Sequence, residues 1–459
     1  VPVLAILLIA GCAEAAPEVR PGAAAAELQV VPGEGEMDRA AEGADTVADV
    51  DPGSAVSADS PSGAIDPAAG DPPGAEVVTA PDVSAETATP AAATPAPDQG
   101  PPPSFTRPEH IRGIYLNAWA SGSVNRREAL MDLARRTEIN TFVIDVKDAT
   151  GYISYPTGVE LAREIGADRE IRIRTVRLLM DRLAEEGIYP IARIVVFKDH
   201  LLAEKRPDMA VRDSTGAPWV DGRGDVWVNP WDERVWAYHA AIAREAVEMG
   251  FPEIQWDYVR FPDRPASEMA TAVFPGADGR TRSHAIREFL IWTDRELADL
   301  GVPLTADVFG MATSATTDVG IGQLWEDLAD VTDALLPMVY PSHYWKGSFG
   351  IAEPNDDPYE VVGAALRHAV RRNAAIEGPA RIIPWLQDFT LGAPRYEGPQ
   401  VRAQIQATYD AGIQEWILWN ASGRYTEAAL EPVGGWPGGV GPALHVPGRV
   451  TEPAPPGGS

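Results

Sequence analysis

A single cysteine, Cys12, stands in 459 residues. That count excludes a disulfide framework and leaves no thiol for covalent catalysis in the body of the chain. Histidine is scarce as well: there are seven, none in the His-x-His spacing that a metal-dependent hydrolase barrel carries near its first strand. No G-x-S-x-G elbow offers a serine nucleophile, and no Gly-rich phosphate loop follows the first strand-like run. Positive charge is in deficit, 38 Lys+Arg against 67 Asp+Glu, for a formal net charge of −29 and a pI near 4.6. Such a surface repels phosphate backbones and anionic head groups, which argues against nucleic acid as a partner. The one long apolar run, "VPVLAILLIAGC" over 1–12, is too short to span a bilayer.

The end of that run, "IAGC", resembles the lipobox of bacterial lipoproteins, in which cleavage before the Cys leaves it as the lipidated first residue. The resemblance implies that Cys12 carries a lipid anchor and that the protein is exported to the cell envelope, with the membrane reached through the lipid. No Met and no Lys/Arg-rich leader precede the run, which departs from the pattern. From Ala13 to Arg107 the composition shifts to Ala, Pro, Gly, Asp, Glu, Ser and Thr, with Phe105 the only aromatic residue and no Lys. A segment so poor in apolar surface cannot offset its ordering entropy and reads as a disordered acidic tether. Residues 431–459, rich in Gly and Pro, read as a loose tail. The expected divisions are a signal segment at 1–12, a tether at 13–107, a folded domain at 108–430 and the tail.

Within the folded region, strand-like apolar runs alternate with amphipathic helical stretches. "RGIYLNAW" precedes "RREALMDLARR", "TFVIDVKD" precedes "RTVRLLMDRLAEE", and the rhythm continues to "EWILWNAS" and a short closing "RYTEAAL". Eight such units predict a (β/α)₈ TIM barrel. The ends of the strand-like runs carry polar groups that a barrel interior would not choose. They include Asn117 and Trp119; Asp145 and Lys147; Arg193, Lys198 and Asp199; Asp257 and Arg260; Asp307; Tyr340 and His343; Gln387 and Asp388; Trp419 and Asn420. In a barrel all of these converge on one mouth, where active sites of this architecture lie.

The mouth is rich in carboxylates and aromatics, with Trp119, Trp227, Trp231, Tyr258, Tyr340, Trp345, Trp385 and Trp419 near four Asp-bearing strand ends. Sugar rings stack on aromatic faces and hydrogen-bond to Asp, Asn, Arg and Gln, and glycosidic cleavage needs one protonated and one ionised carboxyl group. The run "EIQWDYVRFPD" (253–263) places Ile254, Trp256 and Tyr258 on one face, expected to pack on helices. Gln255 and Asp257 then face the barrel axis, and Pro262 ends the strand.

"NPWDERVWAYHAAIAREAVEMGFPEIQWDYVRFPD", "TADVFGM" and "MVYPSHYWKGSFG" resemble, over nearly all of 111–425, a bacterial family of glycoside-hydrolase-like barrels. Trp256 stands where that family's strand motif leads one to expect Phe. The resemblance implies a glycoside hydrolase acting on an envelope or extracellular polysaccharide, and it carries the strand-4 nucleophile onto Asp257. Arg260, three residues on, is expected to hold that carboxylate ionised, since a nearby cation favours the charged form. Asp307, on the next strand, is the first choice as acid, and Asp145 and Asp388 are the fallbacks. Asn117, Trp119, Asp145, Lys147, Arg193, Arg260, Tyr340, His343, Asp388 and Trp419 are the expected substrate contacts, and neither metal nor cofactor is called for. The alternative is a carbohydrate-binding envelope protein that keeps the cleft without turnover.

Overall fold

The computed structural model describes residues 101–437 together with 441, 442, 444 and 445. The expectations placed on Cys12, on the tether before residue 101 and on the end of the tail lie outside the described residues. Among the described residues there are nine strands: β1 Arg112–Leu116, β2 Thr141–Lys147, β3 Tyr189–Val195, β4 Ile254–Asp257, β5 Leu304–Phe309, β6 Ala334–Met338, β7 Arg381–Ile382, β8 Trp385–Gln387 and β9 Trp416–Trp419. All pairings in the sheet are parallel, and the β5–β6 and β1–β9 contacts close it into a barrel. β7 and β8 act as one staved strand, interrupted at Pro384, which has no N–H to give to a ladder. Counted that way the barrel has the eight staves the sequence predicts.

Two apolar layers follow from the strand alternation. Ile114, Phe142, Ile144, Ala192, Ile194, Ile254 and Trp256 point outward into the core shared with the helices. Tyr115, Val143, Ile191, Leu336, Trp385 and Ile417 fill the barrel itself. Gly113 permits this filling, because a Cβ there would sit 3.0 Å from Ile417 Cγ1. The helices that cover the barrel begin with side-chain caps that satisfy their first N–H groups: Ser123 before 124–136, Asp232 before 233–248, Thr281 before 282–297 and Asp357 before 358–373. Each large outward residue contributes on the order of 1.5–3 kcal/mol by burial. Trp256 is the clearest case, fully buried with its ring edge against Phe289 of helix 282–297 at 5.5 Å.

Several expectations change in detail. The strand carrying Asp257 stops at that residue instead of at Pro262, because Tyr258 turns into the left-handed region at φ 48°. Tyr258 stays buried in the outer core, and its ring lies 6.1 Å from Trp227 in the loop after β3. "RYTEAAL" forms only a single 3₁₀ turn, Glu427–Ala429. At the other end of the barrel the last tether residues are in contact with the body. Phe105 packs under the interior layer, and Arg107 donates to Glu415 at 2.6 Å. The start of the tail is also held, since Glu431 and Val433 bond to Glu138 and to the Arg136 carbonyl.

Candidate active site

Register sets the site. Ile254, Gln255 and Trp256 pair with Leu304, Thr305 and Ala306, which brings Asp257 and Asp307 side by side at the C-terminal ends of β4 and β5. On the other side Val195 is paired with Asp257 and Arg193 with Asp145. Four neighbouring strands thus present Asp145, Arg193, Asp257 and Asp307 to the axis, all of them buried.

Arg193 organises this row. Its Nε donates to Asp257 Oδ2 at 2.8 Å, its Nη2 donates to the same oxygen, and its Nη1 donates to Asp145 Oδ1 at 2.6 Å. Burial works against the guanidinium charge, but Asp257 and Asp145 outweigh it and hold the group well above its ordinary range. Asp257 Oδ1 accepts the N–H of Tyr258, a contact that the left-handed turn makes possible. Asp307 receives different partners: Gln255 Nε2 at 2.6 Å and Trp385 Nε1 at 2.7 Å both donate to its Oδ1. Burial first, then the charge of Asp257, pushes the Asp307 carboxyl well above the usual carboxylate range. Asp145 is pushed up to about 6 by burial, with Arg193 and the hydrogen bond from Tyr115 pulling the other way.

The remaining residues fall into groups. Trp419 stacks on Tyr115 at 4.1 Å, and its indole N–H is buried without a partner among the described residues. Trp119 is half exposed at the rim, with the Arg172 guanidinium 4.0 Å above its ring. Tyr340 packs edge-on to His343 and Phe389, and burial pushes His343 down to about 4, so its imidazole is neutral at pH 7. These side chains share the mouth with the carboxylates.

Others hold loops. Asn117 caps the helical turn at Ala118–Gly122 through Ala120 N and ties it to the Ala421 carbonyl. Both oxygens of Asp388 accept from Thr426, and burial pushes its carboxyl up to about 6. Lys147 was expected among the substrate contacts. Instead the irregularity between Asp145 and Lys147 turns it aside, and its fully enclosed ammonium bonds to the Val195 carbonyl and pairs with Asp199 at 2.8 Å. The guanidinium that the sequence sought for Asp257 in Arg260 is supplied by Arg193. Arg260 lies over the rings of Tyr258, Phe309 and Trp227 at 4.6, 4.7 and 5.2 Å.

Tyr115 escaped the sequence reading, and Trp385, read only as one of the aromatics of the mouth, takes a more specific part. Tyr115 bonds to Asp145, and Trp385 bonds to Asp307. The signal for Tyr115 was available: in "RGIYLN" it shares a face with Asn117, so its hydroxyl had to point inward. Among the described residues no cluster of three or more His, Cys, Asp or Glu is arranged to hold a metal ion.

Three solved structures illustrate what the chain resembles. A hypothetical protein from Ruminiclostridium thermocellum ATCC 27405 is 38% identical, over 42% of this chain and 97% of its own, with a TM-score of 0.39. The PgaB (BpsB) glycoside hydrolase domain from Bordetella bronchiseptica is 12% identical, over 68% of this chain and 95% of its own, with a TM-score of 0.49. The α-galactosidase TtGalA from Thermus thermophilus is 16% identical, over 69% of this chain and 59% of its own, with a TM-score of 0.43. No curated protein matches the chain. A family model described as "Putative glycosyl hydrolase domain" matches residues 113–425, and the chain belongs to that family.

Proposed function

We propose that the barrel hydrolyses O-glycosyl bonds of an envelope or extracellular polysaccharide, with Asp257 as the nucleophile and Asp307 as the acid. The observation that carries the proposal is the contrast between two neighbouring carboxyl groups. Asp257 takes two hydrogen bonds from the Arg193 guanidinium, while burial and the charge of Asp257 raise the proton affinity of Asp307 beside it. Glycosidic cleavage needs this division of labour.

Adjacent strands lie about 4.8 Å apart, which favours the short carboxyl separation of about 5–5.5 Å associated with retention. Asp257 then attacks the anomeric carbon as Asp307 gives its proton to the departing oxygen. Water, deprotonated by Asp307, next displaces Asp257, and the anomeric configuration is restored. Tyr115 and Asp145 keep Arg193 in place, and the Trp419 and Trp119 rings offer stacking surfaces for sugars. Lipid attachment at Cys12 and an acidic tether would hold this catalytic domain at the envelope surface.

A second reading, glycan binding without turnover, draws on the depth of the acid. Asp307 is 1% exposed, and its Oδ1 already accepts two hydrogen bonds. Full-length protein incubated with a polysaccharide panel, with the anomer of the first product followed by proton NMR, separates the readings. Release of the retained anomer supports the proposed route, and the inverted anomer refutes it. Binding with no release favours the second reading.

A further inference from the structure

Asp307 is held from both sides of its strand. Gln255 on β4 stands in register with Thr305, two residues before Asp307, and its Nε2 donates to Asp307 Oδ1 at 2.6 Å. Trp385 on β8, two staves away in the other direction, donates its Nε1–H to the same oxygen at 2.7 Å. Trp385 also meets Trp419 and Tyr115 edge-on at 5.4 and 6.5 Å, which ties the carboxyl group to the aromatic wall of the mouth. The backbone is fixed as well: Gln323 Nε2 donates to the Asp307 carbonyl at 3.1 Å while its Oε1 accepts the Phe309 N–H at 2.8 Å.

Both side-chain bonds fall on Oδ1 and neither on Oδ2. A carboxyl oxygen has two lone pairs, and two N–H groups use those of Oδ1, so the proton of the neutral acid has its place on Oδ2. The indole fixes the direction of its bond, because it can only donate.

Gln255 adds an independent observation. It is fully buried, and its Oε1 has no partner among the described residues. A buried acceptor left so costs stability that an apolar side chain of the same length would not, and the bond to Asp307 offsets that cost. Burial and the charge of Asp257 push the Asp307 carboxyl up, and the two N–H donors pull it back by favouring the ionised form.

We infer that Gln255 and Trp385 are positioning residues, which clamp Asp307 through Oδ1 so that Oδ2 carries the proton it delivers. The inference rests on the glycoside hydrolase reading. In that route the Oδ2 proton passes to the departing oxygen as this oxygen takes the electron pair of the broken C–O bond. The clamp then holds the carboxylate left behind, until a water molecule attacking the sugar returns a proton to Oδ2.

The test follows the Asp307 carboxyl by ¹³C NMR and the indole N–H groups by ¹⁵N NMR in full-length protein, against pH. One indole resonance of wild type is expected to follow the Asp307 midpoint, to be missing from Trp385→Phe and to stand still in Asp307→Asn. Trp385→Phe is expected to raise the Asp307 midpoint by about one pH unit, the size of one hydrogen bond to a charged group. Gln255→Met, a second measure should Trp385→Phe fail to fold, is expected to raise it likewise. The alkaline limb of kcat/KM moves to higher pH with the midpoint, which a merely structural role would not produce. No indole resonance that follows Asp307, or a midpoint unmoved or lowered in a folded variant, overturns the inference. Because the titrations need no substrate, the expected midpoints without glycan cleavage by wild type count against the hydrolase reading alone. Cleavage with unmoved midpoints counts against the clamp alone.

Discussion

Replacing Asp257 by Asn tests the electrostatic core of the site without changing its shape. The substitution removes one negative charge beside Asp307 and keeps an oxygen for Arg193. With the two carboxyls set by adjacent strands about 5 Å apart, and an effective dielectric constant of about 20, their repulsion amounts to about 3 kcal/mol. That repulsion is the second cause, after burial, of the raised proton affinity of Asp307. Its removal is expected to bring the Asp307 titration midpoint down, while burial still keeps it above an ordinary aspartate. The assay is a ¹³C carboxyl titration of full-length protein, with Asp307→Asn used to assign the resonance. A midpoint that stays in place or rises in Asp257→Asn refutes the claim that the two groups divide their protonation by mutual repulsion.

Four further outcomes follow from the same contacts. Arg193→Met leaves Asp145 and Asp257 buried without their cation, and urea unfolding at pH 7 should register a loss of about 3–5 kcal/mol that shrinks at pH 5 as Asp145 takes a proton; a loss below about 1 kcal/mol contradicts the bridging role. Asp145 is raised from 3.8 to about 6, so the folded state binds its proton more tightly than the unfolded chain. Its stabilising effect is fully present below about pH 4 and lost as pH rises through 6, by about 3 kcal/mol in all, and this slope should be missing from the pH–stability curve of Asp145→Asn. Lys147→Met strands the enclosed Asp199 carboxylate and should cost about 3–5 kcal/mol with little change in KM once the protein is folded; a raised KM at unchanged stability would return Lys147 to the substrate contacts. Trp256→Phe opens a cavity against Phe289 but also deletes a buried indole N–H that has no partner among the described residues, so calorimetric unfolding should show a loss of about 1–3 kcal/mol while the mouth is unaltered.

The barrel was legible because it is a matter of period. Alternation within "EIQWDYVRF" separated Trp256, on the helix side, from Gln255 and Asp257, on the axis side, and the structure has both placements. Local spacing could not reveal who meets whom across strands. Arg260 is three residues from Asp257 in sequence, yet the guanidinium bonded to that carboxylate comes from Arg193, one strand over, because register and not proximity along the chain sets cross-strand contacts. Lys147 failed for a related reason: an irregularity in the β2–β3 pairing shifts the alternation by one, and nothing in "VIDVKD" announces it. Asp388 kept its place at a strand end, but its role in holding Thr426 depends on a contact 38 residues away. Tyr258 needed a backbone turn that a run of β-favouring residues conceals.

The central claim, that this barrel is a hydrolase working through Asp257, meets its most direct test in reducing-end release from a polysaccharide panel by full-length wild type and by Asp257→Asn. The account predicts release from at least one glycan, with the variant slower by about 10²-fold or more, the scale on which a positioned catalytic group acts. Glycan binding without release by wild type, and equal binding by Asp257→Asn, would contradict it.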